Sequence, residues 1–300
     1  MNRLIISSLL LALAFPFTRN ARADSLLVCG FEEVFAVSPE TLASGKLEKP
    51  WSWRARDRNE LPKAVARRFG TTDDCKPIHG GRQILITSSG GGCALVDYPS
   101  GDVRWFAVVT NAHSIELLPG NRVVVASSTG EAGNRLVLFD LSQSEKPIWH
   151  TPLESAHGVV WDEARQSLWA LGLDELRRYS LVDWGSNTPS LKLERSHPLP
   201  DQDGHDLQPV PGADDLVATT SHTVSLFNRD SGEFRPHPAL KDRAHVKSVA
   251  IHPATGKIYF TQGDAPDWWS TSIQSPTAPT RILVKGERVY KIRWLLDEKP

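Results

Sequence analysis

The feature that most constrains this chain is a phrase that comes back. Asn111-Ala112-His113-Ser114-Ile115-Glu116-Leu117-Leu118-Pro119-Gly120-Asn121-Arg122 runs into the apolar stretch Val123-Val124-Val125-Ala126-Ser127. Ser155-Ala156-His157-Gly158-Val159-Val160-Trp161-Asp162 runs into 168–172, and Gly204-His205-Asp206-Leu207 runs into 216–220. Val246-Lys247-Ser248-Val249-Ala250-Ile251 leads to 257–261, and upstream Asp74-Cys75-Lys76-Pro77-Ile78 leads to 83–88. Each unit is a short strand, a Gly, Pro or Asn turn and a second strand. A third strand follows, as at 93–97, 135–140 and 224–228, and then a weaker fourth. The spacing of about 40 to 48 residues is that of four-stranded propeller blades. The first unit opens on its second strand, 26–30, and a matching first strand stands at 289–296. The reading predicts an all-β, six-bladed β-propeller of four-stranded blades, with blade 1 closed by the C-terminal strand. Such closure pairs strand edges that would otherwise be exposed.

Composition sets limits on location and partners. Met1-Asn2-Arg3, the apolar run Leu4 to Phe17 and Ala21-Arg22-Ala23 make the three-part layout of a secretory signal peptide over residues 1–23. The expected mature chain is a single domain, 24–300, periplasmic or extracellular, monomeric, with no membrane span. The 34 Lys and Arg against 35 Asp and Glu are interspersed and leave a net charge of −1, so nucleic acid is not an expected partner. Cys29, Cys75 and Cys93 are an odd number with no Cys-x-x-Cys spacing; export permits a disulfide, and which cysteines would pair is open.

Laid over a propeller, the repeat puts Asp74 or Lys76, His113, His157, His205, Lys247 and Lys291 at one position of a ring around the channel mouth. An ordinary solvated surface has no reason to place imidazoles in phase with the blades. Three readings are open. His113, His157 and His205 could hold a divalent metal. They could act as acid–base groups near neutral pH, with Lys247 as a fourth catalytic residue. They could instead tie neighbouring blades together through backbone hydrogen bonds. The loops joining second to third strands face the same way and bring Glu32, Glu131, Asn134 and an acidic loop ending in Trp268 and Trp269. With Asp74, Lys76 and Lys291 these are the expected substrate-binding residues. The paired indoles either stack on a sugar ring or pack between blades. No His-Glu-x-x-His, Gly-x-Ser-x-Gly or P-loop pattern occurs. His79, His150, His197, His237 and His252 fall in turns or outer strands and are read as incidental.

The phrases at 111–122, 155–162 and 204–207 resemble a family of exported bacterial propellers of unassigned function, over nearly the whole mature chain. More distantly, the channel-facing histidines look like those of propeller polysaccharide lyases such as oligogalacturonate lyase, which hold a metal with several histidines. The resemblance implies that His113, His157 and His205 correspond, with Lys247 where a fourth imidazole would stand. The expected function is a carbohydrate-active enzyme working at the top of the channel on a saccharide or other small-molecule ligand. It would be an eliminative lyase using the histidines, or a glycosidase using Glu32, Glu131 or Asp267 as its acid–base pair. The rival is a propeller that binds a glycan, ligand or protein on the same face without catalysis.

Overall fold

A computed structural model describes residues 24–143, 145–277 and 281–296; the signal-peptide reading of residues 1–23 lies outside them. The runs of Val, Ile, Leu and Phe punctuated by turns become antiparallel strands, as β-branched and aromatic residues favour. The first sheet is made of β1 (Ser25–Gly30), β2 (Glu33–Val37) and β3 (Trp51–Trp53). The second holds β4 (Thr72–Ile78), β5 (Gln83–Ser88), β6 (Gly92–Asp97) and β7 (Val103–Val108). The third holds β8 (Ala112–Leu118), β9 (Arg122–Ser127), β10 (Arg135–Asp140) and β11 (Pro147–Pro152). The fourth holds β12 (Gly158–Asp162), β13 (Ser167–Leu171), β14 (Glu175–Val182) and β15 (Ser190–Pro198). The fifth holds β16 (Asp206–Pro209), β17 (Asp215–Thr219), β18 (Val224–Asn228) and β19 (Glu233–Pro236). Beyond these come β20 (Val246–Ile251), β21 (Ile258–Gln262), β22 (Ser272–Ile273), β23 (Ile282–Leu283) and β24 (Ile292–Leu295).

Strand β24 pairs with β1, Val28 opposite Ile292 and Leu26 opposite Trp294, so the first sheet runs β24-β1-β2-β3. The inner strands β4, β8, β12, β16, β20 and β24 follow one another around the channel and meet again at β4.

The expected six four-stranded blades are corrected here to five. The remaining sector is two separate two-stranded sheets, β20–β21 and β22–β23, whose backbones are bridged by an isolated pairing of Phe260 with Gln274. The chain explains the break. The stretch after β21 carries Pro266 and Pro276, which lack the N–H a ladder needs, and few β-branched residues in sequence. Only two-residue strands form there.

The core is partitioned into six apolar clusters, one in each wedge between neighbouring sectors. Trp53, Trp105 and Trp169 are fully buried in three of these wedges. Cys29, Cys75 and Cys93 are buried free thiols. Among the described residues no helix is long and apolar enough to cross a membrane.

Polar side chains fill the channel, so it is a packed plug and not a conduit. Lys76 reaches Glu116 at 3.0 Å and donates to the carbonyl of Val159. Arg293 of β24 grips Asp206 with both terminal nitrogens, at 2.7 and 3.0 Å, and meets Asp74 at 2.9 Å. One guanidinium thus links the first sector to the second and fifth across the channel.

Candidate functional site

β-Bulges at the top of the inner strands decide which residues share a level. In β4, Thr72 opposes Ser88 and Asp74 opposes Thr87, leaving Asp73 as the extra residue. His113 is the extra residue of β8 and Lys247 that of β20. His157 and His205 stand just before β12 and β16, their amides bonded to Leu171 and Thr219. At the closing strand the same register falls on Tyr290, whose amide bonds to the Cys29 carbonyl. The top ring is therefore Asp73, His113, His157, His205, Lys247 and Tyr290. Asp74 and Lys291 belong one step down the channel, with Ser114, Gly158, Asp206 and Ser248, and Lys76 lies deeper still. Gly158 fits that second level because a Cβ there would lie 2.7 Å from the Cβ of Leu207.

The side chains of the top ring converge. The imidazoles of His113 and His157 are 4.2 Å apart between centroids, and those of His157 and His205 5.6 Å. His113 Nε2 is 3.5 Å from an Asp73 oxygen, and Tyr290 lies edge-on to His113. Lys247 Nζ donates to His205 Nε2 at 2.8 Å.

The approach to each of four ring residues is bent in the same way. Asn111, Ser155, Asp203 and His245, each two residues earlier, have positive φ. That backbone is uncommon outside glycine. At two of them it turns the carbonyl toward the imidazole: His113 Nδ1 donates to Asn111 at 3.1 Å and His157 Nδ1 to Ser155 at 2.7 Å. Those bonds put the proton on Nδ1 and leave Nε2 as the basic nitrogen. Asn134 supports the turn by accepting from the Ser155 amide at 2.9 Å. His205 differs. Its Nε2 accepts from Lys247, so Nδ1 carries the proton, and that buried Nδ1 has no partner.

Burial dominates the electrostatics. Desolvation, then neighbouring imidazoles and lysines, pushes His113 and His157 well below the usual histidine range. His205 is lowered by burial and by Lys247. Burial brings Lys247 down to about 8 and pushes the Asp73 carboxyl up to about 8, despite the hydrogen bonds it accepts from Ser89. Burial also keeps Tyr290 a neutral phenol. Near neutral pH the ring thus offers uncharged imidazoles, a protonated carboxyl and an ammonium on the edge of titration. One step below, burial works against Asp74, but Arg293, Lys76 and Lys291 hold it at about 2. Lys291 is fully buried, with Nζ 3.3 Å from the carbonyls of His113 and His157 and 3.5 Å from Asp206.

Asp73 carries a stability prediction. Its folded pKa is raised from 3.8 to about 8, so the cost of holding it protonated is absent below pH about 4, grows as pH rises and levels off above about 8. Asp73→Asn is expected to raise the unfolding free energy by about 3 kcal/mol at pH 6 and by nothing at pH 3.5. Urea unfolding at the two pH values checks this; equal effects at both would show that Asp73 folds ionised.

Trp268, 44% exposed, stacks on Phe31 at 5.2 Å and meets Tyr290 edge-on at 5.2 Å, which sets an open indole face beside the ring. Glu32 turns away to Arg56 at 2.9 Å and is largely solvated. Glu131 is exposed in the 129–134 loop, while Asn134 supports Ser155. Asp267 and Trp269 line a surface groove at β21–β23. Among the described residues no three His, Cys, Asp or Glu side chains are grouped to hold a metal ion. His113 and His157 hold Nδ1 on backbone and keep Nε2 available, as metal-ligating histidines do, while His205 Nε2 is occupied by the Lys247 ammonium.

The sequence pattern brought His113, His157, His205 and Lys247 together and missed Asp73 and Tyr290. Counting from Asp74 hides the bulge before it. The pairing of Val28 with Ile292, which counts back to Tyr290, is a long-range register. Of the histidines read as incidental, His197 packs on Phe227 and His252 bonds to Asp24, both away from the ring.

Fold and site together define an all-β propeller with a plugged channel and a ring of largely buried polar side chains at one end. The chain belongs to a family of unknown function, DUF6528, whose profile matches residues 44–299. No curated protein matches it. Among solved structures it is similar to a chain from the "Crystal structure of Nidogen/Laminin Complex", with a TM-score of 0.58 and 12% identity, over 92% of this chain and all of the other. At that identity the likeness shows the propeller fold alone. The family carries no assigned activity.

Proposed function

We propose that this protein is a carbohydrate-active lyase that takes an acidic saccharide at the channel mouth and cleaves it by elimination. The observation that carries the reading is the neutral His157. Its Nδ1 is held by Ser155, and its Nε2 makes no hydrogen bond among the described residues, in the same ring as Lys247. A sugar ring stacks on the open face of Trp268. Its carboxylate meets the Lys247 ammonium, which makes the neighbouring C–H more acidic. His157 Nε2 takes that proton, the electron pair forms a carbon–carbon double bond, and the bond to the glycosidic oxygen breaks. The leaving oxygen takes a proton from an acid of the ring, and Asp73 is protonated at neutral pH. An exported protein would meet such glycans outside the cytoplasm.

The test is to incubate the protein with uronate-containing and neutral glycans and follow the unsaturated product by its ultraviolet absorbance. Product from uronates alone supports the reading. Binding to uronates without product would sink the lyase and leave a binding propeller. The charges of the ring also set a pH dependence. Above pH about 8, Lys247 loses its charge and Asp73 gains one, so both changes disfavour an anion. Lys291, Asp203 and His205 are the other groups facing Lys247. Affinity for a uronate is expected to fall roughly tenfold between pH 7 and 9. In Lys247→Met it should be weak and nearly flat; calorimetric titration of both proteins reads the difference.

A further inference from the structure

A groove at β21–β23, outside the channel, has a volume of about 670 Å³. That lies within the usual range of small-ligand sites, about 300–1,000 Å³. We infer that the groove is a second saccharide subsite, so that the ligand is an oligomer whose acidic unit sits in the channel mouth and whose next unit lies along Trp269. This rests on the reading of the mouth as an acidic-saccharide site.

Three features join the groove to the ring at the channel mouth. Gly263 lines the groove and also backs onto Lys247, since a Cβ there would lie 3.4 Å from the Lys247 Cε and 3.1 Å from the Asp267 carbonyl. The wall between mouth and groove is therefore one backbone thick at that point. Trp268 and Trp269 are consecutive yet serve different sides. Trp268 stands against Tyr290 of the ring, while Trp269 lines the groove and touches Phe31 edge-on at 6.1 Å. The Arg288 guanidinium, an exposed cation, lies 3.8 Å over Phe31 and 5.8 Å from Trp269. The groove has the mixed lining a sugar needs. Trp269 and the 55% exposed Leu283 give apolar surface, and Gln262, Asp267 and Thr271 give hydroxyl partners. Asp264 is spent on Arg281 and Thr271, which shape the loop.

The experiment measures binding of a uronic acid monosaccharide and of its oligomers of increasing length, to the wild-type protein, to Trp269→Ala and to Leu283→Glu. In the wild type, affinity should rise by about tenfold from the monosaccharide to the longer oligomers, the worth of one stacked ring and its hydrogen bonds. Trp269→Ala should erase that rise and leave monosaccharide affinity unchanged. Leu283→Glu, at a position 55% exposed, should reduce the rise by repelling the second acidic unit. Equal wild-type affinity at all lengths overturns the second subsite and leaves the mouth reading standing. Equal weakening of all lengths by Trp269→Ala overturns it too. If no uronate of any length binds the wild type, the mouth reading fails and the subsite falls with it.

Discussion

Replacing Arg293 by leucine is expected to lower the unfolding free energy by about 3–5 kcal/mol. Arg293 is 4% exposed, and its guanidinium meets both Asp206 and Asp74. Burial opposes its charge, but the two carboxylates raise its pKa beyond any ordinary value. Leucine fills much of the space and leaves two buried carboxylates with less compensation; Lys291, 3.5 Å from Asp206, and Lys76 cannot replace a bidentate partner. The sign with pH follows from Asp74. Its folded pKa is depressed to about 2, so its pairing contributes above the unfolded value near 4 and is lost as pH falls through about 2. The leucine variant loses the largest source of that depression, Lys76 and Lys291 remaining, so its deficit should be largest near pH 7 and shrink below pH 4. Asp206→Asn in the same chain should recover part of the loss. Denaturant unfolding of the single and double variants checks this. A deficit below about 1 kcal/mol would mean that the triad contributes little and that backbone pairing of β24 with β1 alone closes the ring.

The second large effect belongs to His157. If its Nε2 is the base, His157→Gln should reduce kcat on a uronate glycan by roughly 10²–10⁴-fold, the usual contribution of a positioned base, with KM and melting temperature little changed. His113→Gln should cost less, because its Nε2 already faces Asp73. A His157→Gln protein that keeps its rate would hand the base to another group. One that loses binding and rate together would make His157 a contact for the ligand.

Local pattern and tertiary structure divided the work along a physical line. The alternation of short apolar runs with turns, and its recurrence, carry the strand order, because hydrophobic period and turn chemistry are local properties. The same recurrence put His113, His157 and His205 in phase, and the C-terminal strand pairs with β1 as the repeat implies. Three matters were settled only by distant contacts. Whether a sector forms one sheet or two depends on ladder bonds across the stretch holding Pro266 and Pro276, and there the ladder thins to the Phe260–Gln274 pair. The level of each side chain in the channel depends on bulges, since one extra residue moves a side chain from one ring to the next. That step put Asp73 and Tyr290 beside the imidazoles and sent Asp74 and Lys291 below them. The charge states of the ring depend on burial, which no spacing along the chain encodes. The sequence by itself determined a propeller with histidines at one end of its channel; the tertiary structure decided which groups face them and in what protonation state, because register and desolvation are properties of strands brought together from opposite ends of the chain.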